Sequence, residues 1–321
     1  MAKPGQIDMD KNKVYQYRKT FDCPQDFIGN KLILSFEGAE SNIYVWLNGK
    51  FIGYSEDSFT PSRFDITKYT QEKDNVLCVR IFQKCTGTWL EDQDMWRFTG
   101  IFRDVMIYKQ PSQHIQDLKI DTDIDLDTNK SVLSCVCKMS SNESHTLQAK
   151  LYDPQGNIVW NGNMQDTFEI PVENTCLWSS EFPNLYQLEL VLYDTNNEII
   201  ESIQEQVGFR KFTLEYGIMK LNGKRIVFHG INRHEWDPKT GRCLSQDQME
   251  EDIHMLKSLN INAIRTSHYP NNSYWYKLCD QYGIYVIDEM NLETHGANDI
   301  LPQNKTEWTD CLLDRARSIY E

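Results

Sequence analysis

The hydrophobic period of this 321-residue chain changes once, at about residue 214. Before that point, short runs of alternating apolar and polar residues are separated by turn residues, the pattern of half-buried strands. After it, short apolar runs alternate with stretches of helical period. Arg225–Ile231, Ile264–Tyr269 and Ile284–Ile287 read as buried strands, and Tyr274–Tyr282 and Trp308–Tyr320 read as helices. Ser245-Gln-Asp-Gln248 is a capping box opening a further helix, whose Met249, Ile253 and Leu256 share one face. Gly283 ends the 274–282 helix, since glycine takes the left-handed backbone of a C-terminal cap without penalty. This β-α-β-α-β-α series predicts a parallel α/β domain over 213–321. Read as a barrel, it supplies the first three of eight β/α units.

The first 212 residues predict two β domains. In 1–111, Val14–Phe21, Lys31–Phe36, Asn75–Phe82 and Arg103–Tyr108 are strand-like, and Ile43–Leu47, Asn48-Gly49 and Lys50–Tyr54 form a hairpin. Asn-Gly supplies the positive φ angles of a type I′ turn. Short strands at this spacing predict a jelly-roll β-sandwich. In 112–212, hairpins turn at Asp153-Pro-Gln-Gly156 and Asp194-Thr-Asn-Asn197. About seven strands in about 100 residues predict an immunoglobulin-like β-sandwich. The predicted fold class is thus multidomain β plus α/β.

The charge balance narrows the function. A net charge of −14 argues against nucleic acid or an anionic membrane as a partner. No stretch approaches the roughly 20 apolar residues of a membrane span. Met-Ala-Lys-Pro-Gly-Gln at the start has no apolar run, so no signal peptide is expected and the chain is expected to be cytoplasmic. The nine cysteines are scattered without a Cys-x-x-Cys pair, which predicts reduced thiols rather than disulfides or zinc.

Three polar clusters lie just beyond the three predicted strands: Asn232-Arg-His-Glu235, Arg265-Thr-Ser-His268-Tyr-Pro270 and Asn291-Leu-Glu293-Thr-His295-Gly296. The C-terminal strand ends are where a barrel places its site. If the backbone stays extended, Glu293 and His295 point to the same side, a carboxylate and an imidazole converging for a metal or a polar substrate. A fourth cluster, Trp89-Leu-Glu-Asp-Gln-Asp94-Met-Trp96-Arg97, holds three acids and two tryptophans. It reads either as a solvated acidic loop over packed tryptophans or as a sugar site, with indoles stacking on pyranose faces and carboxylates accepting hydroxyl hydrogen bonds. No phosphate-cradling glycine loop, G-x-S-x-G elbow or basic aromatic patch is present.

At these clusters the sequence resembles the glycoside hydrolase family 2 β-galactosidases over nearly its whole length. The resemblance rests on Asp57-Ser-Phe-Thr-Pro-Ser-Arg-Phe-Asp65, Leu90-Glu-Asp-Gln-Asp-Met-Trp96 continuing to Gly100-Ile-Phe-Arg-Asp-Val105, and Leu177-Trp-Ser to Pro183-Asn-Leu-Tyr186. It continues through Leu221-Asn-Gly-Lys224, Gly230-Ile-Asn-Arg-His-Glu235, Ser267-His-Tyr-Pro270 and Asn291-Leu-Glu-Thr-His-Gly296. Family 2 β-glucuronidases share the Asn-Gly-Lys and His-Tyr-Pro stretches but lack the Leu-Glu-Asp-Gln-Asp-Met-Trp and Glu-Thr-His-Gly runs. The resemblance implies a jelly-roll sugar-binding domain in 1–111 and a partial catalytic barrel in 213–321. It implies hydrolysis of terminal β-D-galactosides such as lactose, with retention. It implies Glu293 and His295 as ligands of Mg2+, with Glu293 also meeting substrate, and Asp94 as the residue that contacts Na+ and a galactose hydroxyl. His234 and His268 are implied to hold the galactosyl ring and stabilise the transition state, with Arg265 and Glu235 supporting them.

Where the sequence departs from the family pattern, the expectations change. A retaining glycosidase uses two carboxyl groups about 5–5.5 Å apart. The family's acid/base and nucleophile glutamates have no counterpart in these 321 residues. The helix that precedes the acid/base strand runs here to Glu321, and no Asn-Glu strand follows. The family's galactose-contacting asparagine near the N-terminus is likewise unmatched in residues 1 to 20. The chain alone is therefore expected to be inactive, a fragment lacking the C-terminal part of the barrel. The alternatives are a non-catalytic carbohydrate-binding or scaffold protein, or a subunit completed by a complementary fragment. A homo-oligomer is compatible with the resemblance. Residues 214–321 are expected to be marginally stable, because an open three-strand sheet leaves an edge and inner faces unpaired.

Overall fold

A computed structural model of the chain describes residues 5–301, 303 and 305–320. In the first domain a four-stranded antiparallel sheet runs in the order Val14–Phe21, Asn75–Phe82, Asn42–Leu47, Lys50–Glu56. A three-stranded sheet follows the order Val105–Gln110, Lys31–Phe36, Ser62–Asp65. Inward residues of both, among them Leu32, Leu34, Phe36, Ile43, Val45, Leu77 and Val79, share one core. Asn48 and Gly49 both have positive φ, 50° and 76°, as a type I′ turn requires, and Leu47 pairs with Lys50 across it.

The second domain packs Ile115–Asp125, Lys130–Met139 and Thr167–Glu173 against Ile158–Met164, Thr146–Tyr152, Tyr186–Tyr193 and Ile199–Val207. Lys130–Met139 alternates between buried and less buried positions, so Cys135 and Cys137 both point inward and remain free thiols. Asp153 and Asp194 shape the two hairpin turns by accepting backbone N–H bonds from Gln155 and Asn157, and from Asn196 and Glu198. All nine cysteines are free.

In the third domain Gly230–Arg233, Ala263–Thr266 and Tyr285–Ile287 form a parallel sheet in that order. The helices α1 (Gln246–Ser258), α2 (Ser273–Tyr282) and α3 (Thr309–Tyr320) follow the strands. The predicted capping box is present, with the Ser245 hydroxyl accepting from Gln248 N and Gln248 Oε1 accepting from Ser245 N. Gly283 caps α2 at φ 71° and lies against the Ser180 backbone of the second domain, where a Cβ would collide. Met249, Ile253, Leu256, Ile264, Trp275 and Leu278 form the core between α1, α2 and the sheet.

The predicted strand Arg225–Ile231 is not one buried strand. Lys224–Arg225 pairs with a hairpin strand, Ile218–Leu221, and the parallel strand begins at Gly230. Val227, Phe228 and Ile231 are exposed, because only Ala263–Thr266 flanks this strand among the described residues. Ile287, on the opposite edge, is also exposed, so the third strand is buried only at Ile284, just before it. Glu321 lies outside the described residues. Among the described residues no helix is long and apolar enough to cross a membrane.

Candidate active site

The ends of the first two parallel strands bring two histidines together around one tyrosine. Tyr269 is fully buried, and its ring stacks on Phe59 of the first domain at 3.8 Å. Its hydroxyl accepts from Glu235 N at 3.0 Å and from Arg242 Nη1 at 2.8 Å, and lies 3.3 Å from His234 Nδ1. Burial raises the phenol pKa. The His234 and His268 rings meet edge to face, 6.1 Å apart. Burial lowers the His234 pKa, and the neighbouring Arg242 and His268 lower it further, while Asp94 opposes them.

His268 Nδ1 lies 2.8 Å from Glu289 Oε2 and 3.1 Å from Arg265 Nη2. One ring nitrogen serves only one of these at a time: with a proton it donates to Glu289, without one it accepts from Arg265. Arg265 also pairs with Glu289, so the three side chains form a closed group. Arg265 thus contacts His268, one of the two histidines that the resemblance implies it supports. Glu235 does something different from the expected support of a histidine ring. Its carboxylate accepts from Arg103 Nη2 at 2.6 Å and Asn272 N at 2.9 Å, and so ties the barrel domain to the first.

The Asn291–Gly296 run leaves the parallel sheet. Glu293–Thr294 instead forms a short parallel bridge with Glu91–Asp92 of the first domain, and Glu293 N donates to Leu90 O at 2.8 Å. The extended backbone ends at Thr294, where ψ is 42°, and His295 starts a 3-10 turn. The pair is therefore not a simple i, i+2 pair on one strand, although His295 Nδ1 is still 3.5 Å from Glu293 Oε1. His295 Nε2 lies 3.8 Å from Asp94 Oδ1. Residues far apart in sequence thus converge from two domains.

These side chains are of types that can contribute ligands to a cation. Carboxylate oxygens and an imidazole face each other, and Glu293 Oε2 is buried and has no hydrogen-bond partner among the described residues. Among the described residues no three His, Cys, Asp or Glu side chains gather as a complete ligand group. A cation here would draw its remaining ligands from water, as hydrated Mg2+ and Na+ accept.

The acidic tryptophan cluster divides between its two readings. Glu91 is buried, taking hydrogen bonds from Ser58 Oγ at 2.5 Å and Arg315 Nη2 at 2.6 Å. Burial pushes its carboxyl up, against the pull of Arg315. Trp89 packs on Leu90, Ala297, Leu301 and Trp308. Asp92 accepts from Arg97 and from Gly296 N at 2.8 Å. Asp94, at φ 48°, is exposed beside His295, and Trp96 is 64% exposed, edge-on to Trp236 at 5.2 Å. Behind the cluster, Asn291 is held between Asp57 and Gln93, all three buried. Sequence reasoning assigned no role to Phe59, Arg242, Arg315 or Asn291. Single aromatic, amide and arginine positions carry no period, and only the fold shows that they meet.

Residues 3–111 match the family model described as the glycosyl hydrolases family 2 sugar binding domain. Residues 113–210 match that of glycosyl hydrolases family 2, and residues 212–321 that of the glycosyl hydrolases family 2 TIM barrel domain. The chain is 48% identical to a β-galactosidase of Halalkalibacterium halodurans, over 99% of this chain and 33% of that protein. It is 41% identical to a β-galactosidase large subunit of Lactobacillus acidophilus, over 100% of this chain and 54% of that protein. The chain therefore spans about a third to a half of the length of these relatives. Among solved structures, a β-glucuronidase of Bacteroides uniformis superposes with a TM-score of 0.83 at 25% identity, over 95% of this chain and 38% of that one. A β-glucuronidase of Ruminococcus gnavus gives 0.79 at 24% identity, over 86% and 49%, a likeness of fold. With three consecutive models of one family matching from residue 3 to residue 321, the chain belongs to glycosyl hydrolase family 2.

Proposed function

We propose that this chain carries the sugar- and cation-binding part of a retaining β-galactosidase that acts on terminal β-D-galactosides such as lactose. The observation that carries the reading is the meeting of Asp94, from the first domain, with His295 and Glu293 beside the His234–His268 pair. The relatives at 41–48% identity, which are named as β-galactosidases, support the choice of sugar. In this reading Glu293 and His295 hold Mg2+, and Asp94 holds Na+ and accepts from a galactose hydroxyl. When bound, the cations supply fixed positive charge beside the sugar. His234, kept neutral by burial and by its cationic neighbours, offers a ring nitrogen to a sugar hydroxyl. His268 is oriented for the same sugar by Glu289 and Arg265.

The proposal separates binding from bond cleavage. Glycoside hydrolysis with retention needs a proton donor and a nucleophile, two carboxyl groups with distinct roles. These 321 residues assayed alone are proposed not to turn over, and to gain activity when a polypeptide carrying the remaining barrel strands is co-expressed. The exposed strand edges at Ile231 and Ile287 suit such a complement. The nine free thiols suit a cytoplasmic setting.

Hydrolysis of o-nitrophenyl β-galactoside tests this. Substantial turnover by the chain alone refutes the division of labour, and no turnover after co-expression refutes the complement. A second reading, a non-catalytic carbohydrate-binding protein, is favoured by the exposed Trp96 beside Asp94. Galactose titration of the chain and of Trp96→Ala separates the two. That reading requires binding that falls with Trp96, together with no gain of activity on co-expression.

A further inference from the structure

A buried polar relay joins the two loops that carry the proposed cation ligands. Asp57 Oδ1 accepts from Asn291 Nδ2 at 2.7 Å, and Asn291 Oδ1 accepts from Gln93 Nε2 at 2.5 Å. Asp57, Asn291 and Gln93 are 6%, 1% and 4% exposed. The direction of the relay is fixed by its first member. Asp57 accepts through both carboxyl oxygens, so Asn291 turns its NH2 to Asp57 and its carbonyl to Gln93. Asp57 also accepts from Thr60 Oγ1 at 2.8 Å, and its backbone sits at φ 91°. A non-glycine residue there is strained, and strain of this kind persists only where the surrounding structure holds it.

The relay stands at a junction. Gln93 immediately precedes Asp94, and Asn291 lies two residues before Glu293. The bridge between Glu91–Asp92 and Glu293–Thr294 fixes the same loops along the backbone. A backbone bridge of two residues leaves the side-chain direction of the following residues free, and the relay removes that freedom. We propose that Asn291 is a positioning residue, which sets the spacing of Asp94 from Glu293 and His295 across the domain boundary. The inference rests on the reading of Glu293 and His295 as a cation site.

The relay can be broken and then reversed without changing side-chain volume. Gln93→Glu places an acceptor against the Asn291 carbonyl. Adding Asp57→Asn restores every bond in the opposite sense, with the new amide donating to Asn291 Oδ1 and Asn291 Nδ2 donating to the new carboxylate. The probe is Mn2+ binding to the 321-residue chain, read from the paramagnetic resonance of the free ion. Gln93→Glu is expected to weaken Mn2+ binding roughly tenfold or more, as loss of a group supporting a metal ligand does. The double variant and Asp57→Asn alone are expected to bind like the parent. If Gln93→Glu does not fold, Gln93→Ala gives the same reading. A parent chain that binds no Mn2+, or a Glu293→Gln chain that binds it as well as the parent, overturns the cation reading and the relay's role with it. Loss in Glu293→Gln without loss in Gln93→Glu, or without recovery in the double variant, overturns the positioning role alone.

Discussion

The barrel domain meets its two neighbours by different chemistry. Against the jelly-roll domain it buries three ion pairs among the described residues: Arg103–Glu235 at 2.6 Å, Arg242–Glu40 at 3.2 Å and Arg315–Glu91 at 2.6 Å. The Arg242 guanidinium lies beside the stacked Phe59 and Tyr269 rings, 4.8 Å and 4.9 Å from their centres. Against the immunoglobulin-like sandwich it uses an indole together with uncharged acceptors, Lys257 Nζ donating to Ser180 O at 3.3 Å and Gln281 Nε2 to Gln206 Oε1 at 3.2 Å. Trp178 Nε1 donates to Asp280 O at 2.8 Å, its ring meets Tyr285 edge-on, and Arg210 covers it at 5.1 Å. The accompanying ion pair, Arg210–Asp280 at 4.0 Å, is half-exposed. A buried charge pair adds little net stability but strands a charge when one partner is lost, whereas an aromatic anchor stabilises mainly through the area it buries. The candidate site lies at the boundary held by charges, where Asp94 Oδ1 of one domain is 3.8 Å from His295 Nε2 of the other.

That contrast can be broken most sharply at Arg103. Its guanidinium donates to Glu235, Phe59 O and Pro270 O, and its side chain is 5% exposed. Arg103→Met leaves the Glu235 carboxylate buried without its cation, which is expected to cost about 3–5 kcal/mol. Urea unfolding of the chain measures it. Adding Glu235→Met removes the stranded charge and should recover part of the loss. If the double variant is as unstable as the single one, the pair is not the source of the effect.

Trp178→Phe probes the other boundary with a smaller expected effect. It removes the indole N–H and part of a buried ring, so the loss is expected to be about 1–2 kcal/mol, one hydrogen bond and a partly refilled cavity. The same unfolding experiment reads it. A loss as large as that of Arg103→Met would erase the distinction between the two faces. Both anchors also bear on residues 214–321, for which the open sheet alone predicts marginal stability. Limited proteolysis should release this region earlier in Arg103→Met than in Trp178→Phe.

The local signals in the sequence were those of short range. Asn48-Gly49, the Ser245 capping box and Gly283 each act within a few residues, and each is found with the backbone it requires. The polar residues at the strand ends were legible for the same reason, since a strand that turns polar marks its own end. Pairings across domains were not. Glu293–Thr294 continues from an apolar strand in the sequence, yet its partner is Glu91–Asp92, and two residues carry no period by which to announce it. Arg315 sits on an amphipathic helix where an arginine reads as solvent-facing. It is 2% exposed because Glu91 waits in the first domain. The exposed Val227 and Phe228 mislead in the opposite direction, since apolar runs predict burial only when a neighbouring strand is there to cover them.

The smallest effect expected at the charged boundary is a shift with pH. His234 loses affinity for its proton through burial first, then through Arg242 and His268, with Asp94 acting the other way. Its folded pKa therefore lies below the ordinary histidine value near 6.5. Between that folded value and 6.5 the unfolded chain binds a proton that the folded chain refuses. Stability from this group is thus complete above about pH 6.5 and falls as the pH drops through the window, ending below the folded pKa. Asp94→Asn removes the opposing charge, so it should lower the His234 pKa further and extend the window downward. Proton NMR titration of the ring in both chains checks the order. A His234 that titrates at or above the free-histidine value would overturn the account by burial, and one indifferent to Asp94→Asn would mean that the charge of the first domain does not reach the barrel's histidines, which would reduce the boundary to a structural contact.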